Sequence, residues 1–144
     1  MTRLTASQVA GLTLAAARAV VAGALAEGQQ LGIAISCAVV DSGDQLVAFE
    51  RMDGADLVTI SLARDKAFTA LVNHMPTSAL APLVQPGTEF YGYDSLAGGR
   101  MIVFGGGLPI EIEGVLVGAV GVSGGSAEQD ETCARAGLAM GAGG

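Results

Sequence analysis

Small apolar residues recur at helical spacing near the start of the chain. Leu12, Ala15, Ala16, Ala19, Val20, Gly23 and Ala24 share one face, which another element can approach closely. Thr5 followed by Gln8 forms a capping-box pattern for the start of this helix, and Gly28 and Gly32 end it. The pattern then switches to alternation. Ile33 to Val40 places Ile33, Ile35, Cys37 and Val39 on one side, Asp41-Ser42-Gly43-Asp44 makes a turn, and Gln45 to Arg51 returns. This predicts a β-hairpin.

Leu57 to Val72 predicts a second helix, with Leu57, Ile60, Ala63, Ala67 and Leu71 on one face and Pro76 as its stop. A shorter helix over Thr77 to Val84 follows. Residues 85–100 show no period and predict a long ordered loop, a type of segment that is usually functional or mobile. Met101 to Phe104, Leu108 to Ile112 and Val115 to Val122 read as three strands, with turns at Gly105-Gly106-Gly107 and Glu113-Gly114. Ser126 and Gln129 form a second capping box opening a closing helix to Met140. The expected fold is α+β, a five-stranded antiparallel sheet flanked by helices. No repeat or linker divides residues 1–144, so one domain is expected.

Composition changes the picture in one respect. Charged residues make up 15% and hydrophobic residues 51% of the 144 positions, against about 25% charged in an average globular chain. This argues against disorder, and a homo-oligomer with an apolar interface is expected. Seven basic against fourteen acidic residues give a net charge of −7 and no basic face for nucleic acid. Cys37 and Cys133 form no CxxC or Cys/His cluster, which argues against zinc and for free thiols in a reducing cytoplasm. Ala6 to Ala26 carries only Arg18 as a charge, but its polar interruptions and lack of a basic leader predict a packed cytoplasmic helix and no membrane segment.

Few residues offer chemistry. Lys66, the only lysine, is either a solvated helical charge or a fixed ammonium facing a ligand. His74, the only histidine, either caps the end of the second helix or serves as an axial haem ligand or general base. Gly124-Gly125-Ser126 leads into Glu128, Gln129, Asp130 and Glu131, either as ordinary capping or as a helix start open to a ligand. Gly106 sits in a triple-glycine turn that exposes amides or lets chains pack closely. Arg51 and Asp53 pair with each other or orient a ligand, and Tyr91 and Tyr93 supply hydroxyls or cover a pocket. The hydrolase elbow and the zinc-protease motif are missing, so those activities are not expected.

Together Ala38 to Asp44, Arg51 to Ala55, Lys66 to Ala70, Pro76 to Leu80, Gly106 to Ile110, Gly118 to Gly125 and Glu128 to Glu131 resemble the GlcG/HbpS-like family, also found as the C-terminal domain of PduO proteins. The segments stand in the family's order and span nearly the whole chain. The resemblance implies a profilin/PAS-like α+β fold, oligomeric assembly, and an association with haem binding or small-molecule catabolic gene clusters. The family positions matched are Asp41, Asp53, Lys66, Thr69, Gly106, Pro109, Gly124, Gly125, Gln129 and Asp130. They suggest a pocket for a polar or anionic ligand.

Three functions follow as expectations. The first is a binding protein for haem or another anionic small molecule, with Arg51, Asp53, Thr69, His74, Tyr91, Gly106, Gly124, Gly125 and Gln129 around the ligand. The second is a metal-independent enzyme moving protons on a small carbonyl or carboxylate compound, with Lys66 and Asp130 as acid and base. The third is an assembly subunit without chemistry of its own.

Overall fold

Thr13 opens the first helix. Its hydroxyl accepts the Ala16 N–H at 3.1 Å, and α1 runs Leu14–Leu31 to a left-handed Gly32. The computed structural model describes residues 11–143. The cap expected at Thr5 and Gln8 lies outside them, and Leu12 precedes the helix described. β1 (Ser36–Asp41) and β2 (Leu46–Arg51) form the expected hairpin. Asp41 Oδ1 ties its turn by accepting the Gly43 and Gln45 N–H groups at 2.9 and 3.0 Å. α2 spans Val58–Asn73, β3 Gly107–Ile112, β4 Val115–Ser123 and α3 Ala127–Gly143. The α+β class is the one observed.

Among the described residues the sheet has four strands, not five, in the antiparallel order β2-β1-β4-β3. Met101 to Phe104 is the missing strand. Its backbone is held by a side chain instead of a ladder: the Ile102 N–H donates to Thr69 Oγ1 at 2.9 Å. The preceding residue is fixed as firmly. Arg100 donates to Asp65 and Asp44, each at 2.9 Å, and lies 4.0 Å over the Phe68 ring. This clamp joins the long loop to α2 and to the first hairpin's turn. The short helix expected over Thr77 to Val84 is two 3-10 turns, Thr77–Ala79 and Ala81–Leu83. Pro82 has no N–H to donate, so a continuous α-helix there loses a bond.

The sheet separates two cores. On one face Ile35, Cys37, Val39, Val120 and Val122 pack with Ala17, Val20, Val21 and Ala24 of α1 and with Cys133 and Ala134 of α3. On the other, Val40 and Ala119 meet Ala67, Ala70 and Leu71 of α2. Alternation along β1 assigns its residues to the two faces as expected. On α2 the buried positions begin at Thr59, while Leu57 and Ile60, expected inward, are exposed. They belong to the first turn, ahead of Ala63, where the helix meets β4.

Cys37 and Cys133 are fully buried in one core and free. Burial raises both thiols, Cys133 to about 11 and Cys37 further; the charge of Cys133 adds to the shift at Cys37, and those of Asp130 and Glu27 add to the shift at Cys133. At about pH 8, near the pKa of an ordinary thiol, neither is expected to react with a disulfide reagent until the chain is unfolded in urea. Reaction of either thiol in the native protein contradicts this packing.

Candidate functional site

Lys66 lies on the buried face of α2 and Asp130 in the first turn of α3, on opposite sides of the sheet. They meet at the C-terminal end of β4. Lys66 Nζ donates to Asp130 Oδ2 at 2.8 Å and to the Val122 carbonyl at 2.9 Å. The other carboxylate oxygen accepts the Gly125 N–H at 2.8 Å. Both side chains are withdrawn from solvent, at 1% and 3% exposure, so this is a buried ion pair with both carboxylate oxygens hydrogen-bonded. Burial pushes the lysine pKa below its ordinary value, while the charge and hydrogen bond of Asp130 push it back.

Two glycine turns make the meeting possible. At Gly106, φ is +131°, and a Cβ there would stand 2.7 Å from Lys66 Nζ and 2.5 Å from the Val122 oxygen. The Gly125 amide is free to reach Asp130 because Ser126 and Gln129 cap α3 reciprocally, at 3.0 and 3.1 Å. Thr77 adds a third tie by accepting the Gly107 N–H at 3.0 Å. Above the amine, the Phe104 ring centre lies 5.2 Å from Nζ. A groove of about 300 Å³ opens on that side, lined by Ser78, Ala81, Phe104, Gly105, Ala127, Glu128 and Glu131.

The remaining sequence candidates are dispersed. Thr69 is buried and structural in its contacts: its hydroxyl donates to the Asp65 carbonyl at 2.7 Å, with the Arg100 carbonyl 3.1 Å away. Arg51 and Asp53 are exposed where the first hairpin ends, and Gly124 is exposed beside Gly125. His74 terminates α2 in a left-handed conformation, its N–H returned to the helix, and its Nε2 lies 2.5 Å from Glu111 Oε1. Tyr91 is exposed, while Tyr93 donates to Asn73 Oδ1 at 2.5 Å. Phe104, Ser78 and the Arg100 clamp are absent from the sequence candidates. Only the position of Arg100 directly ahead of an apolar run hints at its role.

Besides a groove of about 240 Å³ bordered by Ala16, Ile110, Glu111 and Leu138, two more lie on the surface. One, of about 480 Å³, runs between α1 and β2 and is walled by Leu14, Arg18, Val21, Ala22, Val47, Ala48, Phe49 and Glu50. The other, of about 210 Å³, lies under the long loop and is walled by Asn73, Met75, Leu80, Leu83, Val84, Phe90 and Tyr93. No described helix is long and apolar enough to cross a membrane.

A family model described as haem degrading protein HbpS-like matches residues 12–139. The chain belongs to the HbpS-like family. An uncharacterised 15.0 kDa protein from the dhaT-dhaS intergenic region of Citrobacter freundii is 37% identical over 131 residues, covering 91% of this chain and 92% of that one. The corrinoid adenosyltransferase PduO of Salmonella typhimurium is 38% identical over 116 residues, or 81% of this chain. That match takes in 34% of PduO, so this chain spans about a third of the enzyme. Among solved structures, Klebsiella pneumoniae ORFY superposes with a TM-score of 0.90 at 34% identity, over 99% of this chain and 98% of ORFY. PduOC, solved as a haem complex, superposes with a TM-score of 0.88 at 34% identity, over 91% of this chain and 95% of that one.

Proposed function

We propose that this HbpS-like chain binds haem at the apolar groove between the end of α2 and the long loop, with His74 as the axial donor. The observation that carries the reading is the histidine's setting. Glu111 engages Nε2, which orients the ring and leaves Nδ1 without a partner among the described residues. Histidines that ligate metals are typically held by a carboxylate in this way. Next to His74 the groove offers Met75, Leu80, Leu83, Val84 and Phe90 as apolar walls. The likeness to PduOC, a haem complex in its own structure, supports the same ligand class here.

The donor set decides between the grooves. The larger one, between α1 and β2, offers Arg18 for a propionate but has no histidine, methionine, cysteine or tyrosine in its walls. The smaller one has Met75 and Tyr93 in its walls and His74 in sequence between its wall residues Asn73 and Met75, but not the volume of a full ligand pocket, for which about 300 Å³ is a lower bound. It accepts part of a planar macrocycle and leaves the charged edge outside. When bound, haem would supply the redox and ligand-binding chemistry of its iron. The chain's own residues hold the plate edge and aim the imidazole.

Self-association belongs to this reading. Leu57, Val58, Ile112 and Val115 are large apolar side chains between 48% and 76% exposed, and burying such groups drives assembly. A reducing cytoplasm accords with two free thiols.

Hemin titration tests the proposal. The apoprotein is expected to give a saturable Soret shift, and Glu111→Ala is expected to weaken binding roughly 10- to 100-fold by freeing the imidazole. His74→Ala is expected to remove the axial signature, while Arg18→Ala leaves it intact. A titration of the wild-type protein without a saturable shift overturns the reading.

A further inference from the structure

The Lys66–Asp130 pair is not used by haem binding beside His74, and it has a feature a purely structural pair does not need. An ammonium carries three protons. Asp130 Oδ2 and the Val122 carbonyl accept two of them. No oxygen among the described residues accepts the third. What stands near the amine instead is the face of Phe104, 44% exposed, with the 300 Å³ groove on its other side. Water has almost no access to the amine, and the ring beside it also lines an open groove.

We propose that Phe104 is a movable cover and that the groove between the Thr77–Leu83 turns and α3 admits a small neutral carbonyl compound, whose oxygen accepts the third N–H of Lys66. The charges select this class. The pair is neutral as a unit; of the two carboxylates in the groove wall Glu131 is answered by Arg135 at 3.5 Å, while Glu128 has no ion-pair partner among the described residues and leaves the wall a net negative charge that repels a carboxylate. Glu131 also accepts the Ser78 hydroxyl at 2.5 Å, so it faces the groove as an acceptor suited to a ligand hydroxyl. A hydroxy-ketone or hydroxy-aldehyde satisfies both ends. Held by Asp130, the ammonium is preorganised and desolvated, and it polarises the carbonyl by stabilising negative charge on its oxygen. Gly106 makes this possible, because any side chain there would displace Nζ.

Lys66 is the only lysine of the 144 residues, which makes the test direct. Protein labelled with ε-15N lysine gives one side-chain resonance from this chain. Dihydroxyacetone, a neutral hydroxy-ketone, is expected to shift it saturably, and glycerol, which lacks the carbonyl, is not. Phe104→Ala is expected to tighten the response about tenfold, since the cover no longer has to be displaced. Hemin binding is unchanged by that substitution, so failure here is separable from failure of the haem reading. A lysine resonance that stays fixed in both the wild type and Phe104→Ala overturns the proposal. So does one that responds equally to glycerol.

Discussion

Lys66→Met is expected to lower the unfolding free energy by about 3–5 kcal/mol, the typical loss when one partner of a buried ion pair is removed. The cost comes from what remains. Asp130 keeps a charge at 3% exposure with only the Gly125 N–H to answer it, and the Val122 carbonyl loses its donor. Adding Asp130→Asn is expected to recover a large part of the loss, because the amide oxygen still accepts the Gly125 N–H and no charge is buried. Urea unfolding of the wild type and the two variants measures this. A single-variant loss below about 1 kcal/mol, the range of exposed pairs, contradicts the buried geometry.

The same pair sets an alkaline pH dependence. Burial holds the native-state pKa of Lys66 below its ordinary 10.5 despite the opposing pull of Asp130. Between those two values the unfolded chain binds the proton more fully than the native one, so this group's contribution to stability rises with pH across that window. Lys66→Met removes that slope.

Gly121→Ala is the second large effect, with an expected loss of more than about 4 kcal/mol, beyond ordinary overpacking. A Cβ at this position would stand 1.9 Å from the Ala63 carbonyl oxygen and 2.6 Å from the Ala67 nitrogen. Both are backbone atoms of α2, so no side chain can rotate aside. Relief requires the helix to leave the sheet, which opens the core of Val40, Ala67, Ala70, Leu71 and Ala119. Gly43→Ala is the control. Its Cβ would meet nothing closer than Asp41 Oδ1 at 3.5 Å, and a change within about 0.5 kcal/mol is expected. Thermal unfolding of the two variants is the measurement, and equal midpoints contradict the α2–β4 contact.

What could be read from residue order divides along physical lines. The hairpin, α2 and the Ser126–Gln129 capping box are local, encoded by alternation, spacing and a side chain bonding its own neighbourhood. The expected small-residue face of α1 is likewise met: Gly137 of α3 comes so near Val20 that a Cβ there would lie 2.5 Å from its carbonyl oxygen. Met101 to Phe104 misleads because its apolar pattern suits a strand, and nothing local reveals that Thr69, some thirty positions earlier, takes its backbone N–H. The clamp of Arg100 on Asp65 and Asp44 is equally non-local. Lys66, Asp130, Gly106 and Gly125 were singled out by residue type and resemblance, and the fold brings them together. Their closure into a pair behind Phe104 depends on distances that no spacing along the chain encodes.

The haem reading is most directly tested by mapping where ferric haem broadens the backbone amide resonances of the labelled protein. The account predicts broadening centred on Asn73, His74, Met75, Phe90 and Tyr93, lost in His74→Ala. Broadening centred on Arg18 and Phe49 between α1 and β2, or on no surface of the chain, would contradict it.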